Sequence, residues 1–150
     1  MECIIEKNPS EYTINQIVSI AHDYTKDYFT TNVPEDTRID LMFQRTIYLK
    51  KQEEIISFIN FTCMDGTLQI MLMATKRTYG NRGYGKKLML NFFEHIRQLG
   101  FSQVEVYTVP PKSKPIYKAT LDFYKYMGFE IIKEYTELWE SGAIQLRANI

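Results

Sequence analysis

Between Leu68 and Thr75 apolar side chains alternate with others closely enough to predict a buried strand. From Leu88 onward, Leu88, Met89, Phe92, Ile96 and Leu99 recur at helical spacing. The change of period falls on Lys76 to Lys87, where three glycines interrupt both patterns. Upstream, Cys3 to Ile5 predicts a short strand, and Pro9-Ser10 opens a helix whose Ile14, Ile17, Val18 and Ala21 share one face. Pro34-Glu35-Asp36 begins a second helix through Leu41, its acidic residues favourably placed for the helix dipole. Arg45 to Leu49 and Ile55 to Phe61 predict strands joined by a short charged turn, and Met64-Asp65-Gly66 a hairpin. Downstream, Gly100 caps the glycine-led helix, Gln103 to Thr108 alternates as a strand, and the segment from Pro110 to Pro115 must be a loop. Ile116, Thr120, Phe123 and Met127 then form one helical stripe and Tyr117, Leu121 and Tyr124 a neighbouring one. Gly128 sits where that helix must end, and Phe129 opens a further strand. Trp139 and Glu140, near the last turn, read as structural. There are no repeats and no linker, so residues 1–150 are expected to form a single α/β domain.

The glycines of Gly80-Asn81-Arg82-Gly83-Tyr84-Gly85-Lys86-Lys87 therefore lie at a strand-to-helix turn. Backbone N–H groups of such a turn, with the unpaired N–H groups of the first helical turn, carry partial positive charge outward and suit a pyrophosphate. Glycine lets the backbone approach an anion and adopt positive φ. Arg82, Lys86 and Lys87 add formal charge. The order G-x-x-G-x-G is not the dinucleotide fingerprint G-x-G-x-x-G, and Lys86 is followed by Lys87 where a Walker loop needs Ser or Thr.

Arg82-Gly83-Tyr84-Gly85-Lys86-Lys87-Leu88 closely resembles the second half of the acyl-coenzyme A loop of the GNAT N-acetyltransferase superfamily, with Gly80 at the position of the family's leading Arg or Gln. A second block, Thr120-Leu121-Asp122-Phe123-Tyr124-Lys125-Tyr126-Met127-Gly128-Phe129, is similar to that family's late helix-to-strand segment, with Tyr117 where the family commonly has Asn. The resemblance implies a mixed, splayed central sheet flanked by helices on both faces. It implies that Gly80, Asn81, Arg82, Gly83, Tyr84, Gly85 and Lys86 hold the cofactor's pyrophosphate, and that backbone groups of Met73, Ala74 and Thr75 pair with the pantetheine arm. Tyr124 would protonate, or hydrogen-bond to, the departing thiolate. Tyr28 and Phe29, after the first helix, and Tyr107 would line the acceptor site. Family members often carry a Glu on the strand before the glycines, but Leu68 to Thr75 contains no carboxylate. Glu105, on one face of the next strand with Tyr107, is the nearest candidate base, the alternative being a carboxylate on the solvated side of that strand.

The implied activity is transfer of an acetyl group from acetyl-coenzyme A, as co-substrate, to a primary amine by direct attack in a ternary complex. Alternatives are an acyltransferase with another donor or acceptor and a non-catalytic coenzyme A-binding domain. Composition fits: the 150 residues are 45% hydrophobic, and 18 basic residues balance 18 acidic ones, leaving no basic field to suggest nucleic acid. No apolar run is long enough for a membrane, and the acidic start Met1-Glu2-Cys3 is unlike a signal peptide. Cys3 and Cys63 lie far apart without a C-x-x-C pattern, as expected of a cytoplasmic protein with reduced thiols and no acyl-enzyme cysteine. His22 and His95 lack partners at ligand spacing, so no metal is expected. The expected partner is an amine acceptor, a small molecule or a protein amine, with a homodimer left open.

Overall fold

The structure, a computed structural model, describes residues 1–150. Seven strands form one sheet: β1 (Glu2–Glu6), β2 (Arg45–Lys51), β3 (Glu54–Met64), β4 (Thr67–Thr75), β5 (Gln103–Thr108), β6 (Phe129–Tyr135) and β7 (Ala143–Asn149). They lie in the order β1-β2-β3-β4-β5-β7-β6. The helices are α1 (Glu11–Asp23), α2 (Val33–Asp40), α3 (Tyr84–Gln98) and α4 (Lys118–Tyr126). No helix is long and apolar enough to cross a membrane.

Period-2 alternation in the central strands gives the sheet two apolar faces, and each recruits a helix pair. Tyr48 and Phe58 pack with Ile17 and Ile20 of α1 and with Leu41, just after α2. Their neighbours Ile47, Leu49, Ile59 and Phe61 turn the other way, onto Leu88, Met89, Phe92, Phe93 and Ile96 of α3 and Tyr124 of α4. Ser10 caps α1, its hydroxyl accepting the Thr13 N–H at 3.2 Å. Leu99 falls outside the α3 stripe: it is the residue just after the helix and is exposed, so Phe93 completes the buried face. Strand β7 has no counterpart among the sequence expectations, although Ile144, Leu146 and Ala148 alternate with Gln145 and Arg147. It inserts between β5 and β6, pairing antiparallel with both.

One seam differs from the rest. All other neighbouring strands are antiparallel, whereas β4 and β5, joined through α3, run parallel and pair only at Gln69↔Glu105 and Ile70↔Val106. On its opposite edge β4 pairs with β3 beyond this point, but with a register shift: Phe61 opposes Ile70 and Asn60 opposes Leu72, which leaves Met71 as a bulge. A bulge bends and twists its strand. The bend falls where β4 and β5 part, so the expected splay is present and residues 71–75 have no ladder partner on the β5 side.

Candidate active site

The splay opens into a cavity of about 1240 Å³. Its walls come from β4 (Met71–Ala74), the start of the glycine turn (Gly80, Asn81) and α4 (Thr120, Tyr124). The segment after α1 adds Tyr24, Tyr28 and Phe29, and α2 adds Asp36, Thr37 and Asp40.

At the glycine turn, Asn81 has φ +58° and Gly83 φ +82°, with Arg82 of negative φ between them. Such alternation turns successive N–H groups toward one concavity. The N–H groups of Asn81, Arg82, Gly83, Tyr84, Gly85 and Lys86 donate to no acceptor in the chain, since the first bond of α3 is Lys87 N–H to the Gly83 carbonyl at 3.0 Å. This row joins an unsatisfied helix start to a turn in which no protein atom lies within 4 Å of where a Gly83 Cβ would stand, which fits an anion of pyrophosphate type. Gly80 is a correction: its N–H is already donated to the Arg77 carbonyl at 3.0 Å, so the free donors begin one residue later. Lys86 Nζ donates to the exposed Tyr126 hydroxyl at 2.9 Å, and the Arg82 guanidinium lies 5.9 Å from the Tyr79 ring centre, both at the surface beside the turn. Tyr84 packs edge-on against Tyr79.

On β4, Met73 and Ala74 line the cavity. Thr75 does not: its carbonyl accepts the Tyr24 hydroxyl at 2.6 Å and its own hydroxyl lies 2.7 Å from Ser57 Oγ, so its polar groups are committed. Tyr24 thereby ties the segment after α1 to the end of β4. The Arg77 guanidinium stacks 4.2 Å over the Tyr24 ring and pairs with Asp27.

Tyr124 is 6% exposed, its ring packed between Phe123 and Phe129. Its hydroxyl has no hydrogen-bond partner, yet it is not among the fully enclosed unpaired atoms, and the residue lines the cavity. The phenol therefore opens onto the cavity from an apolar bed. Burial, with a smaller contribution from Tyr117, holds its pKa well above the ordinary tyrosine range. Tyr117, buried too and pushed up to about 12, donates to the Tyr28 carbonyl at 2.9 Å, where Lys114 Nζ also donates at 2.7 Å.

Tyr28, Phe29 and Tyr107 all reach the cavity wall, with the Tyr28 ring against Tyr24 and Tyr117. Tyr107 lies 6.3 Å from Trp139, which also lines the cavity with Glu140, so these two residues are wall and not merely turn. Gly142 closes their loop: at φ +77°, a Cβ there would stand 2.8 Å from the Tyr135 carbonyl. Glu105 is the second correction. It is 6% exposed and outside the cavity wall, its carboxylate accepting from Arg147 at 2.6 and 2.9 Å and from Gln145 at 2.7 Å. A carboxylate so held is neither solvated nor placed to take a proton from a substrate. Cys3 and Cys63 are exposed and also outside the wall.

The cavity wall also holds Asn60 and Asp40, which the sequence patterns do not single out, and Asp36, which they place only at a helix start. Asn60 interrupts the apolar run Ile55 to Phe61, which was the available signal. It is 1% exposed and its Oδ1 is enclosed without a partner, although the residue borders the cavity. An unpaired buried oxygen of this kind costs roughly 1–3 kcal/mol. Asp40 carries no side-chain hydrogen bond. Partial burial, and then the charge of Asp36, raise its pKa above the usual aspartate value.

Comparison with known proteins agrees with this geometry. Residues 44–131 match the model of the acetyltransferase (GNAT) domain. Among solved structures, a GNAT-family protein from Desulfovibrio desulfuricans superposes with a TM-score of 0.83 at 12% identity, covering 99% of each chain. The ribosomal-protein-S18-alanine N-acetyltransferase from Escherichia coli gives 0.78 at 12% identity, over 99% of this chain and 94% of its own. An aminoglycoside 6'-N-acetyltransferase complexed with coenzyme A gives 0.75 at 11% identity, over 99% and 97%. No curated protein matches the chain in sequence.

Proposed function

The chain belongs to the GNAT acetyltransferase family, and on that premise we propose that it transfers an acetyl group from acetyl-coenzyme A to a primary amine by direct attack within one ternary complex. One observation carries this: a single cavity joins the free N–H row at Asn81, the Tyr124 hydroxyl and the wall built from α2 and the segment after α1. Donor and acceptor could therefore meet at the β4–β5 split. That fold neighbours include enzymes named for acetylating an alanine of ribosomal protein S18 and an aminoglycoside supports the reaction class.

The N–H groups from Asn81 to Lys86 would hold the pyrophosphate, and the free edge of Met73 and Ala74 would take the pantetheine arm as an added strand does. Acetyl-coenzyme A, when bound, supplies the thioester: the amine nitrogen forms the new C–N bond as the C–S bond breaks and sulfur leaves. Tyr124 would serve that sulfur as a hydrogen-bond donor. Its raised pKa keeps the phenol protonated, which suits donation and disfavours surrender of the proton to a thiolate of much lower pKa. With Glu105 occupied, no side chain is assigned as base, and the amine's proton leaves to water in the open cavity.

Thiol release from acetyl-coenzyme A against a panel of primary amines tests this. At least one amine should raise release above the amine-free rate and yield its acetylated product. Coenzyme A binding with no amine turned over would instead identify a non-catalytic binding domain. Arg82→Ala and Lys86→Ala should raise the KM for acetyl-coenzyme A by about 3- to 10-fold with kcat nearly unchanged, because exposed charges anchor the phosphates equally before and during reaction. Added salt should shrink that difference. A fall in kcat at constant KM would contradict an anchoring role.

A further inference from the structure

Asn60 is buried in the cavity wall, and its side-chain amide makes no hydrogen bond to the protein. Its Oδ1 is sealed inside, whereas Nδ2 is not enclosed and is the amide atom that meets the cavity. The reverse orientation would seal an unpaired NH2 inside, and orphaned buried N–H groups are rarer than under-satisfied carbonyl oxygens. The amide therefore offers a donor to whatever enters, and a site with a buried donor rejects a group that leaves it unpaired. Its place in the fold says which group that is. Asn60 shares a face of β3 with Phe58, which packs with α1, and it opposes Leu72 beside the Met71 bulge where β4 parts from β5. The free N–H row instead leads into α3, which packs on the other face of the sheet. The Asn60 donor thus stands on the acceptor's side of the split. Charge narrows the choice further. Asp36, Asp40 and Glu140 line the same cavity, while the Arg77 guanidinium is paired with Asp27 and Lys114 Nζ donates to the Tyr28 carbonyl. A wall with this excess of carboxylates favours an uncharged oxygen over an anionic one.

Building on the acetyl-transfer function proposed above, we propose that the acceptor carries, close to the amine that is acetylated, an uncharged carbonyl oxygen that accepts a hydrogen bond from Asn60 Nδ2. That bond turns the amine toward the β4–β5 split. An alkylamine leaves the buried amide unpaired, and an amino carboxylate brings a negative charge to an acidic wall. Asn60 is thereby a specificity-determining residue, and amino amides are the class it selects.

NMR titration of isotope-labelled protein, saturated with coenzyme A, tests this. The ligands are unbranched amino amides of increasing length, starting from glycinamide, with the alkylamine and the amino carboxylate of each length. At a preferred length the amide should bind about 3- to 10-fold more tightly than the alkylamine, the increment of one neutral hydrogen bond, and more tightly than the carboxylate. Its binding should also move the Asn60 side-chain NH2 signal, which is identified by its loss in Asn60→Leu. Asn60→Leu and Asn60→Ala should both close the gap between amide and alkylamine, and their affinity for coenzyme A reports that they are folded. The proposal is overturned if no amide outbinds its alkylamine, if the carboxylate binds as tightly as the amide, or if the gap survives in a variant that still binds coenzyme A. It is overturned equally if the Asn60 signal answers to acetyl-coenzyme A and not to the amides. Thiol release with the same amines separates the two proposals. An amide preference in binding with no acetylation of any amine would defeat acetyl transfer alone. Acetylation with no such preference would defeat only the carbonyl at Asn60.

Discussion

Tyr124→Phe should bind coenzyme A like the wild type and lose on the order of 10²-fold in kcat, the usual consequence of deleting one donor aimed at developing charge. The substitution isolates the hydroxyl because the ring, packed between Phe123 and Phe129, is retained. That hydroxyl bonds to no protein group, so removing it leaves no stranded partner and the melting temperature should hardly move. The loss should also be the same at every accessible pH. A folded-state pKa raised by burial means the phenol is protonated through and beyond the ordinary tyrosine range, so no alkaline limb of the kcat profile arises from it. Steady-state kinetics of both proteins across the accessible pH range reads this directly. A Phe variant with wild-type kcat would make Tyr124 a core residue only.

The second large effect is expected at Gly83. Its φ of +82° is strained for any residue with a Cβ, and for β-branched valine most of all. No protein atom lies within 4 Å of where that Cβ would sit, so Gly83→Val should fold, relieving strain by rotating out of the left-handed region. Rotation would turn the N–H groups around Gly83 away from their common concavity. Two charge-assisted hydrogen bonds at roughly 1.5–3 kcal/mol each would go, on the order of 10²-fold or more in coenzyme A affinity. Gly83→Asn, which tolerates positive φ, should retain more affinity than Gly83→Val. Calorimetry with coenzyme A decides. Unchanged affinity in a folded Gly83→Val protein would remove the turn from the site.

Features set by local backbone chemistry were legible from residue order. Ser10 begins α1, Gly128 follows α4 in the left-handed region, and β5 spans Gln103 to Thr108 as its alternation predicts. The turn at Gly83 was legible for the same reason, since a positive φ next to a helix start is a property of a few adjacent residues. What required the fold was pairing between distant segments. From its own strand alone Glu105 has the pattern of a solvated carboxylate or a base, and only the pairing of β7 with β5 brings Gln145 and Arg147 against it. The splay follows from the Met71 bulge, whose existence depends on how β3 registers against β4 and not on Met71 itself. Asn60 and Asp40 meet at one cavity only because α1 and α2 fold over the β3 face. Gly80 shows the same limit in miniature, since the short turn at Arg77 takes the N–H that residue type alone would have left free.

Direct transfer within one cavity is tested most directly by initial rates measured over a grid of acetyl-coenzyme A and amine concentrations, together with the thiol released when no amine is present. A ternary complex predicts intersecting double-reciprocal lines and no stoichiometric burst of thiol before amine is added. Parallel lines with one equivalent of coenzyme A released per protein, and an acetyl group retained on the chain, would mean a covalent relay through a residue and would contradict transfer at the β4–β5 split.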